Sequence, residues 1–308
     1  IRVLHAARDF GEMTVSLGAR PSAIDTLSNF KSGEVLNSSL NYGEISPAVV
    51  IPHGTAPIAA FTSTQPAAFL FSGLSYFEPG GSYLLVILTD SEGNAKLTLI
   101  DEDTENAPVD YIDEGVLMQL VHAVSGRDFI TINLEDEING QIRPLLDGSQ
   151  IRFSESIATI ISGGDHTVDI DGSAHNFSVD VAERIMIIST GSEEQTEILS
   201  FVNPPMGATL ENYKRRFINA SLDINELIIK EQTENSEPLF NEPINYGQSS
   251  PIESIVLDNR VSIFFINGEN NETLFRIDDV PFSFGKNYSI IFTGTAGAGY
   301  DAIIQQEF

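Results

Sequence analysis

The chain has 308 residues, with 16 Lys and Arg against 44 Asp and Glu, so its formal net charge is −28. A surface this negative repels phosphate and carries no basic stripe, which argues against nucleic acid as a partner. The 42% of apolar residues exclude a disordered acidic tail, and the absence of cysteine excludes disulfides, thiolate catalysis, thiolate zinc sites and iron–sulfur clusters.

From the first residues, Ile1-Arg2-Val3-Leu4, the pattern is β. Short runs rich in Val, Ile, Leu and Phe recur about every ten residues, divided by Gly, Asn, Asp and Ser. Thr167-Val168-Asp169-Ile170-Asp171 and Phe177-Ser178-Val179-Asp180-Val181 alternate with period two, which places one face in a core and the other in water. Uninterrupted apolar runs, such as 84–88 and 185–188, fall far short of the ~18 residues of a membrane-spanning helix. No helical period extends beyond about two turns.

Three segments share landmarks in the same order. The openings are Val3-Leu4-His5-Ala6-Ala7, Leu120-Val121-His122-Ala123-Val124 and Phe217-Ile218-Asn219-Ala220-Ser221, each followed by a turn carrying Asp and a second strand. Mid-segment, Asn41-Tyr42-Gly43-Glu44-Ile45-Ser46-Pro47 matches Asn245-Tyr246-Gly247-Gln248-Ser249-Ser250-Pro251, with a weak echo in Ile151-Arg152-Phe153-Ser154-Glu155. Late in each come Pro79-Gly80-Gly81-Ser82-Tyr83-Leu84-Leu85-Val86, Val181-Ala182-Glu183-Arg184-Ile185-Met186-Ile187-Ile188 and Phe284-Gly285-Lys286-Asn287-Tyr288-Ser289-Ile290-Ile291. This predicts an all-β protein of three tandem immunoglobulin-like β-sandwich domains, at 1–104, 112–203 and 210–308. The acidic stretch 101–108 reads as the first linker, and Asn203-Pro204-Pro205-Met206-Gly207 as the second, stiffened by its prolines. Without Cys or Trp, an antibody-type core is excluded.

The strand ending in His-Ala, the Tyr-Gly-x-x-Ser-Pro and the Pro-Gly-Gly-Ser-Tyr before an apolar strand together resemble a bacterial family of domains of unknown function, whose repeats open with a Val-Val-His-Ala-Ser-Pro-Asp-like strand. The resemblance is strongest in 1–100, weaker in 214–308 and weakest in 116–202. Here the family's turn becomes Ala7-Arg8-Asp9-Phe10, and Asn219 stands where the third histidine would be. The resemblance implies tandem β-sandwiches and export with the leader removed, in a family whose members often carry a lipid anchor, which here would precede Ile1. It implies no chemistry.

Several residues invite a functional reading beside a structural one. His5 and His122 are a pair of ligands or a pH-sensitive site, or else rings that tie a strand end to the next turn, a task Asn219 could share. His53, His166 and His175 show no ligand spacing. Asp165 to Gly172 lacks the glutamate that a calcium loop needs and is expected to end in a hairpin turn at Asp171-Gly172. Seven carboxylates lie in 101–105 and 110–114, so Asp101, Asp103, Asp110 and Asp113 are the candidate Ca²⁺ ligands, against the alternative of a hydrated linker. Lys214-Arg215-Arg216 is expected to snorkel or to pair with nearby acids, and Tyr42 and Tyr246 to pack and anchor turns. The Gly294–Gly299 stretch precedes a strand, not a helix, and reads as a hairpin connection. Asn37, Asn176, Asn219, Asn271 and Asn287 open Asn-x-Ser/Thr triplets, and Asp25-Thr26-Leu27 matches a short bacterial O-glycosylation signal.

No catalytic motif is present, and no cofactor is expected. The expected role is an exported, non-enzymatic structural, adhesive or scaffold protein of the bacterial cell surface. Its partners would be other surface or extracellular proteins, or glycan. The alternatives are a glycan- or peptide-binding accessory protein with a site at a sandwich end or domain junction, and a subunit of an assembly joined by strand addition through residues 1–7 or 300–308.

Overall fold

A computed structural model describes residues 1–17, 34–51, 53–63, 69–105, 110–138, 141–181, 184–202, 212–256 and 260–307. The second linker at 203–207, the Asp25-Thr26-Leu27 signal and residues 106–108 of the first linker lie outside these described residues.

The first repeat contains β1 (Arg2–His5), β2 (Met13–Leu17), β3 (Glu34–Leu40), β4 (Gly54–Thr62), β5 (Phe69–Phe77), β6 (Tyr83–Thr89), β7 (Ala95–Asp101) and β8 (Asp110–Ile112). The second contains β9 (Val116–Ser125), β10 (Phe129–Ile138), β11 (Gln141–Arg152), β12 (Ser156–Ile161), β13 (Gly164–Ile170), β14 (Ser173–Val179), β15 (Arg184–Ser192) and β16 (Thr196–Val202). The third contains β17 (Tyr213–Asn219), β18 (Glu226–Glu231), β19 (Ile244–Asn245), β20 (Glu253–Ile255), β21 (Val261–Asn267), β22 (Thr273–Val280), β23 (Asn287–Thr295) and β24 (Gly299–Glu307). They form six four-stranded sheets, two per repeat: β1-β6-β7-β8 with β3-β2-β4-β5, β12-β9-β15-β16 with β11-β10-β13-β14, and β20-β17-β23-β24 with β19-β18-β21-β22. This is the arrangement of three tandem β-sandwiches. Only one helical turn, Arg8–Phe10, occurs among the described residues.

The opening strand of the first and third repeats pairs in parallel with the late apolar strand, β1 with β6 and β17 with β23, and the late strand in turn pairs antiparallel with the strand that follows it, β6 with β7 and β23 with β24. Asp171-Gly172 is the two-residue turn of the β13–β14 hairpin, as its sequence requires. The first boundary differs from expectation. Residues 110–112 pair with β7 and close the first sandwich's sheet, so this sandwich runs past residue 104 to Ile112. Within the acidic stretch, Tyr111-Ile112 supplies the alternation that an edge strand needs, with Ile112 in the core and Tyr111 exposed.

The chain packs as two compact units, 1–119 with 132–149 and 157–185, and 120–131 with 150–156 and 186–308. The first holds the whole first sandwich. Val3, Met13, Ile58, Leu85, Ile87 and Leu97 fill its core from both sheets. The second holds the third sandwich, whose core is aromatic: Phe265 stacks on Phe292 at 5.1 Å and Tyr213 on Phe282 at 4.9 Å. The abundant Phe thus fills a core.

The second unit also buries a further cluster, in which Val121, Ala123, Met186 and Ile188 of β9 and β15 meet Ile218, Ala220, Ile291 and Ile303. The last four leave the third sandwich on the face opposite its core, because alternation sends Phe217, Ile290 and Phe292 inward. The mating faces belong to equivalent sheets. Their polar contacts are reciprocal: Thr190 Oγ1 donates to Ala220 O (2.5 Å) and Thr293 Oγ1 donates to Ala123 O (2.7 Å). Aligning His122 with Asn219 and Thr190-Gly191 with Thr293-Gly294 makes both the donors and the acceptors equivalent. The two threonine oxygens lie 3.1 Å apart, where a local two-fold axis would pass. Both faces of these strands are therefore covered, and every residue of β9 is buried, as are all but the last of β23.

Candidate functional site

The first joint is built on close backbone approach. Gly115 N–H donates to Ser72 O (2.7 Å) and Ser72 Oγ donates back to Gly115 O (3.1 Å). A Cβ on Gly73 would lie 2.6 Å from Ile112 Cγ2 and 2.7 Å from Asp113 O, and one on Gly115 would overlap the Ile160 side chain. Only hydrogen at these two positions lets β5, segment 113–115 and β12 abut.

Beside this contact opens a cleft of about 540 Å³, floored by Leu99, Ile112 and Ile161. Tyr76, Tyr83 and Tyr111 line it with Arg143 and five carboxylates, Glu78, Asp101, Asp113, Glu114 and Glu137. The Arg143 guanidinium sits 3.8 Å over the Tyr76 ring, a cation–π contact that holds both side chains flat against one wall. Tyr83 is fixed by its hydroxyl, which accepts Glu78 N–H (3.0 Å). Tyr111 remains 69% exposed and free to meet a ligand. With one cation against five carboxylates the cleft is net acidic.

Two candidate calcium ligands, Asp101 and Asp113, line this cleft. Asp101 accepts Thr104 Oγ1 (2.7 Å) and Asp103 N–H (2.9 Å), and these hydrogen bonds, the hydroxyl's first, hold its carboxyl below the ordinary aspartate value. Asp103 accepts Ser82 N–H (2.6 Å). Both carboxylates thus stitch a turn. The Asp110 side chain lies outside the described residues. Among the described residues no group of three or more His, Asp or Glu could hold a metal ion.

The histidines act through their rings' two nitrogens. His5 Nδ1 accepts Ala7 N–H (3.2 Å) while its Nε2 donates to Gly11 O (2.5 Å); His122 does the same with Val124 N–H (3.2 Å) and Arg127 O (2.9 Å). Asn219 reproduces both bonds, with Oδ1 accepting Ser221 N–H (3.2 Å) and Nδ2 donating to Ile224 O (2.8 Å). All three residues are fully buried, so these are structural ties. Their own backbones meet the mid-segment landmark: His5, His122 and Asn219 donate N–H to Glu44 O, Glu155 O and Gln248 O. The carbonyls of the same three residues accept from Gly43, Ser154 and Gly247. These three partners have φ of 82°, 65° and 72°, so Ser154 takes a backbone conformation that its repeats give to glycine.

Sequence reasoning passed over one polar centre and did not place a second inside the fold. Asp136, 4% exposed, accepts Ser162 N–H (2.6 Å), Ser162 Oγ (2.6 Å) and Glu137 N–H (2.7 Å), while His166 Nε2 donates to Ser162 O (2.9 Å). The serine hydroxyl is spent on the aspartate, not on an imidazole, which is not the geometry of an activated nucleophile. In the third sandwich Arg215, 1% exposed, donates to Glu231 Oε1 (2.5 Å) and Glu253 Oε2 (3.0 Å) between Phe217 and Phe282. The expected pairing with acids is present, but inside the domain. Alternation gives the signal, since Tyr213, Arg215, Phe217 and Asn219 share one face.

Tyr42 is 56% exposed and meets His5 edge-on. Tyr246, expected to anchor a turn, instead donates its hydroxyl to Glu197 Oε2 (2.6 Å) on β16, across the two-fold contact. Burial, and then Glu197, push its phenol above the ordinary value. Of the described Asn-x-Ser/Thr positions, Asn219 and Asn287 are buried and closed to modification, whereas Asn176 and Asn271 are exposed.

No protein-family model matches the chain, and no curated protein does. Among solved structures it is similar to a "putative cell adhesion protein" of Bacteroides uniformis, with 9% identity and a TM-score of 0.24, covering 66% of this chain and 96% of that one. A protein of the same description from Bacteroides ovatus gives 9% identity and a TM-score of 0.23, covering 67% and 97%. The fold assignment rests on the sheets themselves.

Proposed function

We propose that the chain is a non-enzymatic adhesive or scaffold protein of the bacterial surface, which recognises its partner through the acidic cleft at the first joint. The supporting observation is the cleft itself: a Tyr76–Arg143 stack and five carboxylates on walls held together by the Gly73–Gly115 contact. Aromatic faces, an apolar floor and excess acceptors suit a segment that brings cations and amide donors, namely a Lys- or Arg-bearing peptide of another surface protein. Export and an anchor before Ile1 belong to this reading through the resemblance of the repeats. Among the described residues no helix is long and apolar enough to cross a membrane. Strand addition through β1 is not favoured, because β6 bonds one of its edges and segment 44–49 the other.

Calorimetric titration with a lysine-rich peptide, a glutamate-rich peptide and a neutral oligosaccharide tests this. The lysine-rich peptide is expected to bind saturably, more weakly at high salt, and Tyr76→Ala is expected to lower its affinity by about tenfold or more. Binding that is indifferent to Tyr76→Ala, or absent, contradicts the assignment. Saturable binding of the oligosaccharide alone replaces peptide by glycan.

A further inference from the structure

The late apolar strand of every repeat is an unbroken run: 84–88 in the first, 185–188 in the second and 290–292 in the third. An unbroken run belongs to a strand covered on both faces, since a strand wetted on one face alternates. In the second and third repeats the extra cover is mutual, through the two-fold contact. The first repeat carries the same kind of face. Leu4 and Ala6 stand where Ile218 and Ala220 do, Leu84 where Met186 does, Val86 where Ile188 and Ile291 do, and Leu88 where Thr190 and Thr293 do. Leu4, Leu84, Leu88 and Ile100 are partly buried and Val86 is 8% exposed, and all five lie outside the first sandwich's core cluster. Tyr42 and Ile45, which flank this face, are 56% and 52% exposed.

From this we infer that the face is a docking surface for a second copy of this chain, first repeat against first repeat, about a true two-fold axis. The argument for this occupant is the second–third contact. There, two equivalent faces already mate with one another, so the surface is self-complementary in kind, which is what an isologous dimer requires. The described contact mates two of the three faces, and a second copy supplies a mate for the third. Where the internal contact places two threonine hydroxyls on its axis, the dimer places two leucines, so its centre is apolar. The inference is independent of what the acidic cleft binds.

The geometry specifies its own test. Thr190 and Thr293 meet on the internal axis, so Leu88 should meet Leu88 of the second copy. The chain has no cysteine, so Leu88→Cys adds a single thiol. Full-length Leu88→Cys is expected to form a disulfide-linked dimer under mild oxidation, while Asn235→Cys, on an exposed turn of the third repeat, stays monomeric. In sedimentation equilibrium the unmodified chain is expected to be dimeric at micromolar concentration, and Leu84→Arg, at a partly exposed position of the same face, monomeric with an unchanged melting curve. An unmodified chain that stays monomeric at high micromolar concentration overturns the proposal. So does a dimer indifferent to Leu84→Arg, whether or not the thiol cross-links.

Discussion

Arg215→Met is expected to destabilise the third sandwich by about 3–5 kcal/mol, which lowers its melting temperature on the order of ten degrees. The guanidinium side chain is 2% exposed, while those of its partners Glu231 and Glu253 are 21% and 20% exposed. Methionine fills much of the space between Phe217 and Phe282 but leaves two mostly buried carboxylates facing each other without a cation. The deficit should depend on pH, with a definite sign. Burial already raises the Glu253 carboxyl above its ordinary value, against the pull of Arg215, and Glu231 adds to the rise. A carboxyl whose pKa is raised on folding contributes stability below its unfolded value, and that contribution is lost as pH rises through the folded value. Without Arg215 the opposing pull disappears and the rise grows. The variant's deficit should therefore be largest near neutral pH and shrink as pH falls through the carboxylate range toward about 4.3. Melting curves of both proteins at mildly acidic and neutral pH check this, and an equal deficit at both would contradict the buried triad.

His122→Leu is expected to cost about 2–5 kcal/mol. It leaves Val124 N–H and Arg127 O without the ring that serves them, and each lost partner in a buried site costs about 1–3 kcal/mol. His122→Asn should recover most of this, because Asn219 makes the same two bonds in the third repeat. Urea unfolding of the two variants separates them. If Asn is as damaging as Leu, then the imidazole does something that the amide cannot, and the structural role assigned to it is wrong.

The repeats were legible because their landmarks carry side-chain tasks. His5, His122 and Asn219 each need an acceptor and a donor at fixed reach, and Tyr83 and Tyr288 each accept a backbone N–H from five residues upstream, Glu78 and Ser283. The mid-segment match faded in the second repeat because its task is done by backbone. Ser154 needs only to adopt a positive φ, which leaves its side chain unconstrained. The cleft was not legible at all. Tyr76, Asp113, Glu137 and Arg143 come from strands and segments far apart in the chain, and no local spacing announces that folding brings them together. Arg215 was visible as part of a basic cluster, but its burial lay in the alternation around it, which the cluster's charge obscured. The unbroken run at 185–188 did encode a second covered face. It was read as too short for a membrane, when its message was a mate on the far side.

The mating of equivalent faces is the claim on which the account turns, and a double variant, Thr190→Cys with Thr293→Cys, tests it most directly. Their hydroxyl oxygens lie 3.1 Å apart, so two sulfurs in their places should form an intramolecular disulfide. Mass spectrometry of the oxidised protein should show loss of both free thiols in a single chain, with a higher melting temperature than the reduced form. Two thiols that remain free under oxidation, or that link only between chains, would mean that the second and third repeats do not meet as described.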